Sequence, residues 1–340
     1  MTGACIILRR KFSASAFWDD ATDEGATSIV YIGELCRYLL NQPPHPKERS
    51  HKIRTGFGNG LRAEVWTEFQ KRFNINHLCE FYGSTEGNVS FLNFDGKIGA
   101  VGRIPGWLEK QFAHIAFVKF DIETEEPIRG PEGFCIRTDV DEAGEALGRI
   151  GEDIRNRFEG YNDEQATNKK ILRDVFEKGD MWFRTGDLMR KDKDGYIYFV
   201  DRIGDTFRWK GENVSTNEVG EALSGIPGVA TANVYGIPLP GYDGKAGMAA
   251  ITMDADVDFE GMYAALSQKL PSYAIPIFIR VQRDAETTGT FKYRKVELVK
   301  EAFDIDEVTD PIWMYHPERK EYVPFTQDRY DSLRSGAFKF

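Results

Sequence analysis

The glycine-rich stretch GFGNG at Gly56–Gly60 precedes an amphipathic segment from about Leu61 to Phe73, and FYGSTEG follows at Phe81–Gly87. Within the middle segment, Trp66 and Phe69 recur at helical spacing and place apolar side chains on one face. The two flanking stretches are rich in residues that form turns after strands. This order of strand, turn, helix, strand and turn predicts an α/β sheet that is covered by helices.

The rest of the chain changes character twice. Short strands with turn signals run from 98 to about 200 and predict a small barrel or twisted antiparallel sheet, with a hairpin turn at Asp192–Gly195. A capping box at Ser215–Glu218 then opens a helix of a compact α+β domain. We therefore expect three parts: the remainder of a large α/β domain at 1–97, a β-rich subdomain at 98–203, and a mobile α+β domain with a tail at 204–340.

Composition excludes several classes of protein. The 340 residues carry a formal net charge of −10, which argues against a general nucleic-acid binder. Hydrophobic residues make up 41%, enough for a sizeable core. No apolar run approaches the ~20 residues of a membrane span, so we expect neither a transmembrane helix nor a leader. The four cysteines form no C-x-x-C pair and are expected to be reduced and mostly buried, namely Cys5, Cys36, Cys79 and Cys135.

Other local predictions rest on shorter patterns. Residues 4–8 are expected to form a buried strand, and Ser13 or Ser15 to cap the helix that follows. The stretch 155–180 is polar and predicts helix. The tail at 304–340 has scattered aromatic residues and no clear period.

The candidate motifs each allow a second interpretation. The glycines at Gly56–Gly60 are typical of a loop that binds a nucleotide phosphate, although Leu61 occupies the position of the third glycine of G-x-G-x-x-G. The same glycines are also typical of a tight strand-to-helix turn that needs positive φ. The turn at Phe81–Gly87 offers backbone N–H groups and hydroxyls to an anionic oxygen and a carboxylate to Mg²⁺, or is a polar loop. Asp187 could accept ribose hydroxyls or be a turn residue, and Lys292 alone resembles surface decoration.

Together and in this order, the segments resemble the adenylate-forming superfamily of acyl-CoA synthetases, closest to its fatty-acid transport protein / very-long-chain acyl-CoA synthetase branch. The resemblance implies a ligase that joins a fatty acid to AMP, releases pyrophosphate and then transfers the acyl group to coenzyme A. It covers nearly the whole chain through Arg10–Ser15 with Phe17 and Trp18, Tyr31–Leu39, Phe81–Asn88, Arg184–Leu188, Asp201–Ser215 and Thr288–Lys292.

The resemblance also implies roles for individual residues. Thr85 would contact the α-phosphate, Glu86 would bind Mg²⁺, and Lys292 would be the mobile lysine that supports adenylation. Asp187 would hold the ribose hydroxyls, with Arg202 near the same sugar. The nucleotide would further contact the loop and turn residues Gly58, Asn59, Gly60, Leu61, Tyr82, Gly83 and Ser84.

Further implied features concern motion, coenzyme A and lipid. Gly204 falls at the hinge position, where a glycine absorbs large changes in φ and ψ. Rotation at this hinge would bring in a loop on the coenzyme A side, and an apolar slot would hold the acyl chain. The basic cluster at residues 9–11 could touch anionic lipid headgroups or be solvated. The loop comprises Lys210, Gly211, Glu212 and Asn213, and the slot would be lined partly by Phe17, Trp18, Tyr31 and Leu35.

One departure from the family pattern matters. Family members are nearly twice as long and carry a Ser/Thr/Gly-rich loop for the β- and γ-phosphates of ATP, and nothing comparable is found here. We therefore expect an N-terminally truncated ligase with weakened use of ATP and an exposed sheet edge.

Two other hypotheses stay open at this point. The first is a non-catalytic remnant that binds acyl chains or adenylate in lipid handling, and the second is a Rossmann-type oxidoreductase. As a ligase, the chain would have fatty acid, ATP and coenzyme A as partners, and oligomers are allowed. An intracellular location is expected, with peripheral contact to endoplasmic reticulum, peroxisomal, lipid-droplet or plasma membrane.

Overall fold

The computed structural model describes residues 3–83, 87–122, 124–151, 158, 164–242, 244–283 and 295–340. The chain divides into two compact units. The first comprises residues 1–119, 128–185 and 189–199, and the second comprises residues 120–127, 186–188 and 200–340.

The first unit begins with a four-stranded sheet of order β1-β2-β3-β4, in which the first three strands are parallel and the fourth is antiparallel. This is the α/β alternation that the sequence predicts. Its elements are α1 (Phe17–Asp23), β1 (Ser28–Ile32), α2 (Gly33–Leu40), β2 (Thr55–Asn59), α3 (Ala63–Phe73), β3 (His77–Gly83) and β4 (Ser90–Asn93).

The two faces of this sheet differ. On one face, α3 buries Trp66, Phe69 and Phe73 completely, and Trp18 of α1 packs against Phe73 with 4.3 Å between ring centroids. The other face leaves apolar side chains exposed, because the alternation along each strand points every second residue that way. These exposed residues are Val30, Ile32, Phe57, Leu92 and Phe94.

A six-stranded sheet follows, with the order β5-β12-β11-β9-β6 and β10 paired to β11. The hairpin between β11 and β12 turns at residues 192–195, as predicted, where the Gly195 N–H donates to the Asp192 carbonyl. The elements are β5 (Gly102–Arg103), a 3₁₀ helix (Gly106–Phe112), β6 (Ile115–Val118), β7 (Phe120–Asp121), β8 (Glu126–Pro127), β9 (Gly144–Arg149), α4 (Glu164–Lys169), β10 (Ile171–Arg173), β11 (Met181–Lys191) and β12 (Tyr196–Arg202).

The second unit is built on a five-stranded sheet of order β15-β16-β17-β18-β19. Ser215 caps α5 by accepting from the Glu218 N–H at 3.3 Å, which confirms the N-terminus of the predicted capping box. The elements are β13 (Phe207–Trp209), β14 (Glu212–Val214), α5 (Thr216–Ser224), β15 (Val229–Pro238), β16 (Lys245–Met253), α6 (Phe259–Leu266), β17 (Phe278–Val281), α7 (Val296–Glu301), β18 (Ile312–His316), β19 (Glu321–Pro324) and α8 (Gln327–Arg334).

Two predictions near the start of the chain are wrong. Residues 4–8 form no strand and are exposed, with Ile6 and Leu8 more than four-fifths accessible, because a short apolar run becomes a buried strand only where a neighbour pairs with it. Neither serine caps α1: Ala16 occupies the N-cap without a side-chain bond, while Ser13 and Ser15 lie with their hydroxyl oxygens 3.2 Å apart.

Two later segments also differ from expectation. In the described part of 155–180, helix covers only α4, and β10 pairs with β11. The tail is ordered into β18, β19 and α8. The alternation of β18 is not visible in the sequence because apolar residues on both faces of the strand are packed: Trp313 stacks on Phe259 of α6 at 4.0 Å, while the neighbouring Met314 is buried in the core.

No helix in the described part of the chain combines the length and the apolarity that a membrane crossing demands. Among the cysteines, Cys36, Cys79 and Cys135 are buried and Cys5 is exposed, and all are free thiols. The burial of three of the four cysteines agrees with the expectation from composition.

Candidate functional site

The first group of predicted site residues lies at one edge of the first sheet. Gly58 and Asn59 end β2, and Tyr82 and Gly83 end the neighbouring β3. The two strands are parallel, with Gly58 in register with Glu80, so their carboxyl ends meet at the same edge. Ligands of open α/β sheets bind outside this edge. The structure thus brings the carboxyl ends of β2 and β3 together, as a nucleotide site requires.

Only the last glycine of the glycine-rich stretch lies in a strand-to-helix turn with positive φ. Gly56 and Gly58 are residues of β2, and Gly60 alone among the three has a positive φ, of 73°. Gly60 and Leu61 form the connection to α3, and Leu61 is buried.

A buried carboxyl group that the sequence interpretation missed lies next to this loop. Glu80 is 2% exposed, and its Oε1 accepts from the Leu61 N–H at 3.3 Å. Burial raises the pKa of the Glu80 carboxyl group to about 8. The neighbouring O–H of Tyr31 and N–H groups of Leu61 and Gly60 lower it, but by less. The signal in the sequence is a single carboxylate inside the largely apolar run of β3.

Several predicted residues lie outside the described part of the chain. These are Ser84, Thr85 and Glu86 of the turn, and Lys292. The pairing of that turn with Asp187 around one nucleotide therefore stays a prediction. Within the described ranges, no three His, Cys, Asp or Glu side chains cluster as metal ligands, so Glu86 remains the predicted position for Mg²⁺.

In the second unit, Asp187 and Arg202 lie side by side. Asp187 Oδ1 is 3.6 Å from Arg202 Nε, and the Asp187 side chain is 14% exposed against 53% for Arg202. Asp187 is a residue of β11 and not of a turn, which corrects the expectation. The preceding Gly186 has a φ of 78°, and its carbonyl accepts from the Ile203 N–H at 2.9 Å, so the long strand is irregular at this point.

The predicted hinge residue lies beside a polar network of the second unit. Gly204 has a φ of 87°, a region that disfavours side chains with a Cβ. The buried Asp201 accepts from the Thr216 N–H at 2.6 Å, and Lys295 Nζ lies 3.0 Å from Asp205 Oδ2 and 3.1 Å from the Thr216 hydroxyl. These contacts tie the hinge segment to the first turn of α5. The sequence interpretation treated this segment as a boundary and missed the network.

Comparison with known proteins gives the relationship. A model of the AMP-binding enzyme family matches residues 1–133. Long-chain fatty acid transport protein 2 of Rattus norvegicus is 47% identical over 336 residues, which cover 98% of this chain and 54% of that protein. Long-chain fatty acid transport protein 1 of Mus musculus is 45% identical over 338 residues, which cover 99% of this chain and 52% of the relative.

The chain belongs to the adenylate-forming superfamily, in the branch of the long-chain fatty acid transport proteins. It matches the C-terminal portion of that family and spans about half the length of the curated relatives that it matches. Family membership overrules the Rossmann-type oxidoreductase hypothesis.

Solved structures agree on the fold. ATP-bound MatB from Rhodopseudomonas palustris superposes with a TM-score of 0.69 at 23% identity, covering 88% of this chain and 55% of that one. MenE from Bacillus subtilis in complex with the acyl-adenylate intermediate OSB-AMP gives 0.62 at 21% identity, covering 84% and 53%. The α/β plus α+β architecture of the adenylate-forming fold is therefore confirmed.

The loop at residues 210–213, which is predicted to lie on the coenzyme A side, contains the tight turn of a β-hairpin. Lys210 and Gly211 join β13 to β14 and have φ values of 51° and 83°, as a two-residue turn with both central residues at positive φ requires. Glu212 and Asn213 follow in β14 and are exposed, while Trp209 on the other side of the turn is buried. The loop at residues 210–213 is therefore exposed to solvent, and the adjacent Trp209 side chain is buried.

Two features implied by the family resemblance need correction or detail. Trp18 and Tyr31 are core residues, 1% and 5% exposed, and their place along an acyl slot stays a prediction. In the basic cluster, Arg9 forms an ion pair with Asp20 of α1. Residues 9–11 follow no strand, which removes the interpretation of a solvated strand end.

Proposed function

We propose that this chain carries the adenylate-binding, hinge and coenzyme A parts of a long- or very-long-chain fatty acid–CoA ligase that also serves fatty-acid uptake. The carboxylate of the fatty acid attacks the α-phosphorus of ATP, which forms acyl-AMP and releases pyrophosphate. The thiol of coenzyme A then attacks the acyl carbon, which forms the thioester and releases AMP. Family membership supports this proposal, because the relatives are long-chain fatty acid transport proteins.

The single observation that carries the proposal is the shared edge of β2 and β3. Its parallel register places the loop of Gly58, Asn59, Gly60 and Leu61 beside Tyr82 and Gly83, which are the residues proposed to hold adenine. A loop and an aromatic ring at adjacent strand ends can enclose a planar base between them.

In the second unit, Asp187 is proposed to accept the two ribose hydroxyls, and Arg202 is proposed to orient its carboxylate. The 3.6 Å separation and the partial burial of Asp187 support this assignment, because a carboxylate held by a neighbour has a defined orientation. Gly204 is proposed as the hinge and Lys210–Asn213 as part of the path for coenzyme A.

The remaining roles are proposed from the family pattern. Thr85 with Ser84 would bind the α-phosphate, Lys292 would stabilise the charge that develops during adenylation, and Glu86 would hold Mg²⁺. The metal, when bound, supplies neutralisation of phosphate charge. Peripheral attachment to an intracellular or plasma membrane is part of the same proposal.

The test separates the two half-reactions in the 340-residue chain. We expect fatty acid-dependent formation of AMP from ATP, slower than in the longer relatives, and thioester formation from preformed acyl-AMP and coenzyme A. Lys292→Ala should lower the first rate about 100-fold and change the second less than about threefold. Lys300→Ala, on the exposed face of α7, is the matched control and should change neither rate.

Equal loss of both half-reactions in Lys292→Ala would contradict the lysine's role. Binding of AMP with no turnover in either half-reaction would contradict the ligase and support the alternative function, a non-catalytic adenylate-binding protein in lipid handling.

A further inference from the structure

Glu80 occupies an interior position of the first sheet. It lies in β3, between β2 and β4, in register with Gly58 on one side and Asn93 on the other. Asn93 is fully buried and donates to the carbonyls of Lys97 and Ala100 through its own amide. Glu80 is thus enclosed on both sides within the sheet.

The groups that face Glu80 from the packed elements are neutral. The hydroxyl of Tyr31 of β1 donates to the Cys79 carbonyl at 3.2 Å and lies close enough to Glu80 to lower the pKa of its carboxyl group. Cys36 of α2 lies near enough that the carboxylate helps to raise the pKa of its thiol, after burial, and burial also raises the pKa of Tyr31 and of Cys79 in the same strand. These neighbours stay uncharged at neutral pH.

The Leu61 N–H donates to this carboxyl group at 3.3 Å, and the neighbouring Gly60 N–H lies close enough to lower the carboxyl pKa. The other side of this loop rests on the first turn of α2: a Cβ added at Gly33 would lie 1.9 Å from the Gly60 carbonyl oxygen. The loop is therefore held between the backbone of Gly33 and the side chain of Glu80.

We propose that Glu80 is a positioning residue for the nucleotide loop, whose buried carboxyl group holds the backbone of Gly60 and Leu61 in the path that a bound adenine requires. The proposal rests on the proposed function for its ligand, but the hydrogen bond from Leu61 and the close approach of Gly33 to Gly60 that carry it are contacts within the first unit. Glu80 acts through the loop and is not a catalytic residue.

The carboxyl group changes charge in an accessible pH range. Its pKa of about 8 leaves it mostly protonated at pH 7, with one oxygen still able to accept from Leu61. Ionisation above pH 8 converts these contacts to charge-assisted hydrogen bonds, which are stronger. The loop should therefore be held more firmly at pH 9 than at pH 7.

The experiment measures amide hydrogen exchange at Gly60 and Leu61 and AMP binding by calorimetry, both in the full 340-residue chain. In wild type, the protection factor of Leu61 should rise between pH 7 and pH 9. Glu80→Gln keeps the acceptor oxygen and should lose this rise, with AMP affinity within about threefold. Glu80→Leu should lower both protection and AMP affinity about tenfold.

Two controls separate positioning from folding. The amide of Phe57 in β2 should keep its protection in Glu80→Leu, which shows that the sheet has formed. Glu64→Leu removes an exposed carboxylate from α3 and should change neither loop protection nor AMP affinity.

Unchanged protection of Leu61 in Glu80→Leu would overturn the contact. Lower protection with unchanged AMP affinity would overturn the positioning role. If wild type binds no AMP at any pH, the proposed function fails and the nucleotide role of Glu80 fails with it, while the exchange data still decide the contact itself.

Discussion

Glu80 in the first sheet and Arg280 in the five-stranded sheet are both buried ionisable side chains, with 2% and 7% of their surfaces exposed. Glu80 is bonded to neutral groups, and burial raises its pKa. Arg280 instead lies between two carboxylates, with Nη1 2.5 Å from Glu301 Oε2 and Nε 2.7 Å from Asp310 Oδ2. A carboxyl group can become neutral in response to burial, whereas a guanidinium cannot and needs partners.

The difference extends to the sheets themselves. In the five-stranded sheet, Phe278 is fully buried and packs against Phe303 and Phe325, with ring centroids 4.8 and 5.3 Å apart. In the first sheet, Phe57 is 37% exposed and stacks on Phe81 at the open face. The five-stranded sheet is therefore a closed core that stabilises its unit. The first sheet instead combines an open apolar face with a titratable group beside the proposed site.

The largest expected effect comes from matched truncations of the two phenylalanines. Phe278→Ala should lower the free energy of unfolding by about 4 kcal/mol, because it leaves a cavity in a closed core. Phe57→Ala should lower it by less than about 1 kcal/mol, since water already reaches the ring. Urea denaturation measures both. Equal losses would contradict the difference between the two sheets and would mean that the open face is covered in solution.

Removal of the buried guanidinium of Arg280 should have the second-largest effect on stability. Arg280→Met leaves Glu301 and Asp310 without their cation and should lower the free energy of unfolding by about 3 kcal/mol. Arg319→Met is the control, since Arg319 is 60% exposed in a loose pair with Glu321 and should change stability by less than about 0.5 kcal/mol. A small loss at Arg280 would show that its ion pairs are as weak as surface pairs.

The smallest effect in this series has a distinctive pH dependence. Because folding raises the pKa of Glu80 from 4.5 to about 8, its contribution to stability is greatest below pH 4.5 and is lost as pH rises toward 8. Between pH 5 and pH 7 the loss should be between about 2 and 3 kcal/mol. Glu80→Gln should remove it, which equilibrium unfolding at several pH values would show as a flatter profile. An unchanged slope would place the titrating group elsewhere.

Local patterns predicted the elements whose partners are near in sequence. The stripe of Trp66, Phe69 and Phe73 located α3, the turn at 192–195 located a hairpin, and Ser215 marked the start of α5. The strand predicted at 4–8 is absent and the strands of 304–340 were not predicted, for one shared reason. Whether an apolar run forms a strand depends on a neighbour to pair with, and that neighbour is chosen by long-range packing.

The candidate site divides in the same way. The family resemblance named Gly58–Leu61, Tyr82, Asp187 and Arg202 from their order along the chain, and the structure places them at a sheet edge and in an adjacent pair. Asp187 was expected in a turn because sequence spacing does not show that β11 continues through an irregular glycine. Asp201, Thr216 and Lys295 were missed because their contacts join segments that are distant in sequence.

The family, the α/β plus α+β fold class and the order of the proposed site residues could be predicted from the sequence, since motifs, helical stripes and turns are properties of neighbouring residues. The burial of Glu80 beside the proposed nucleotide loop, and its raised pKa, depend on tertiary packing. Burial removes the water that would stabilise a carboxylate, and that removal depends on where β1, α2 and β2 pack around it.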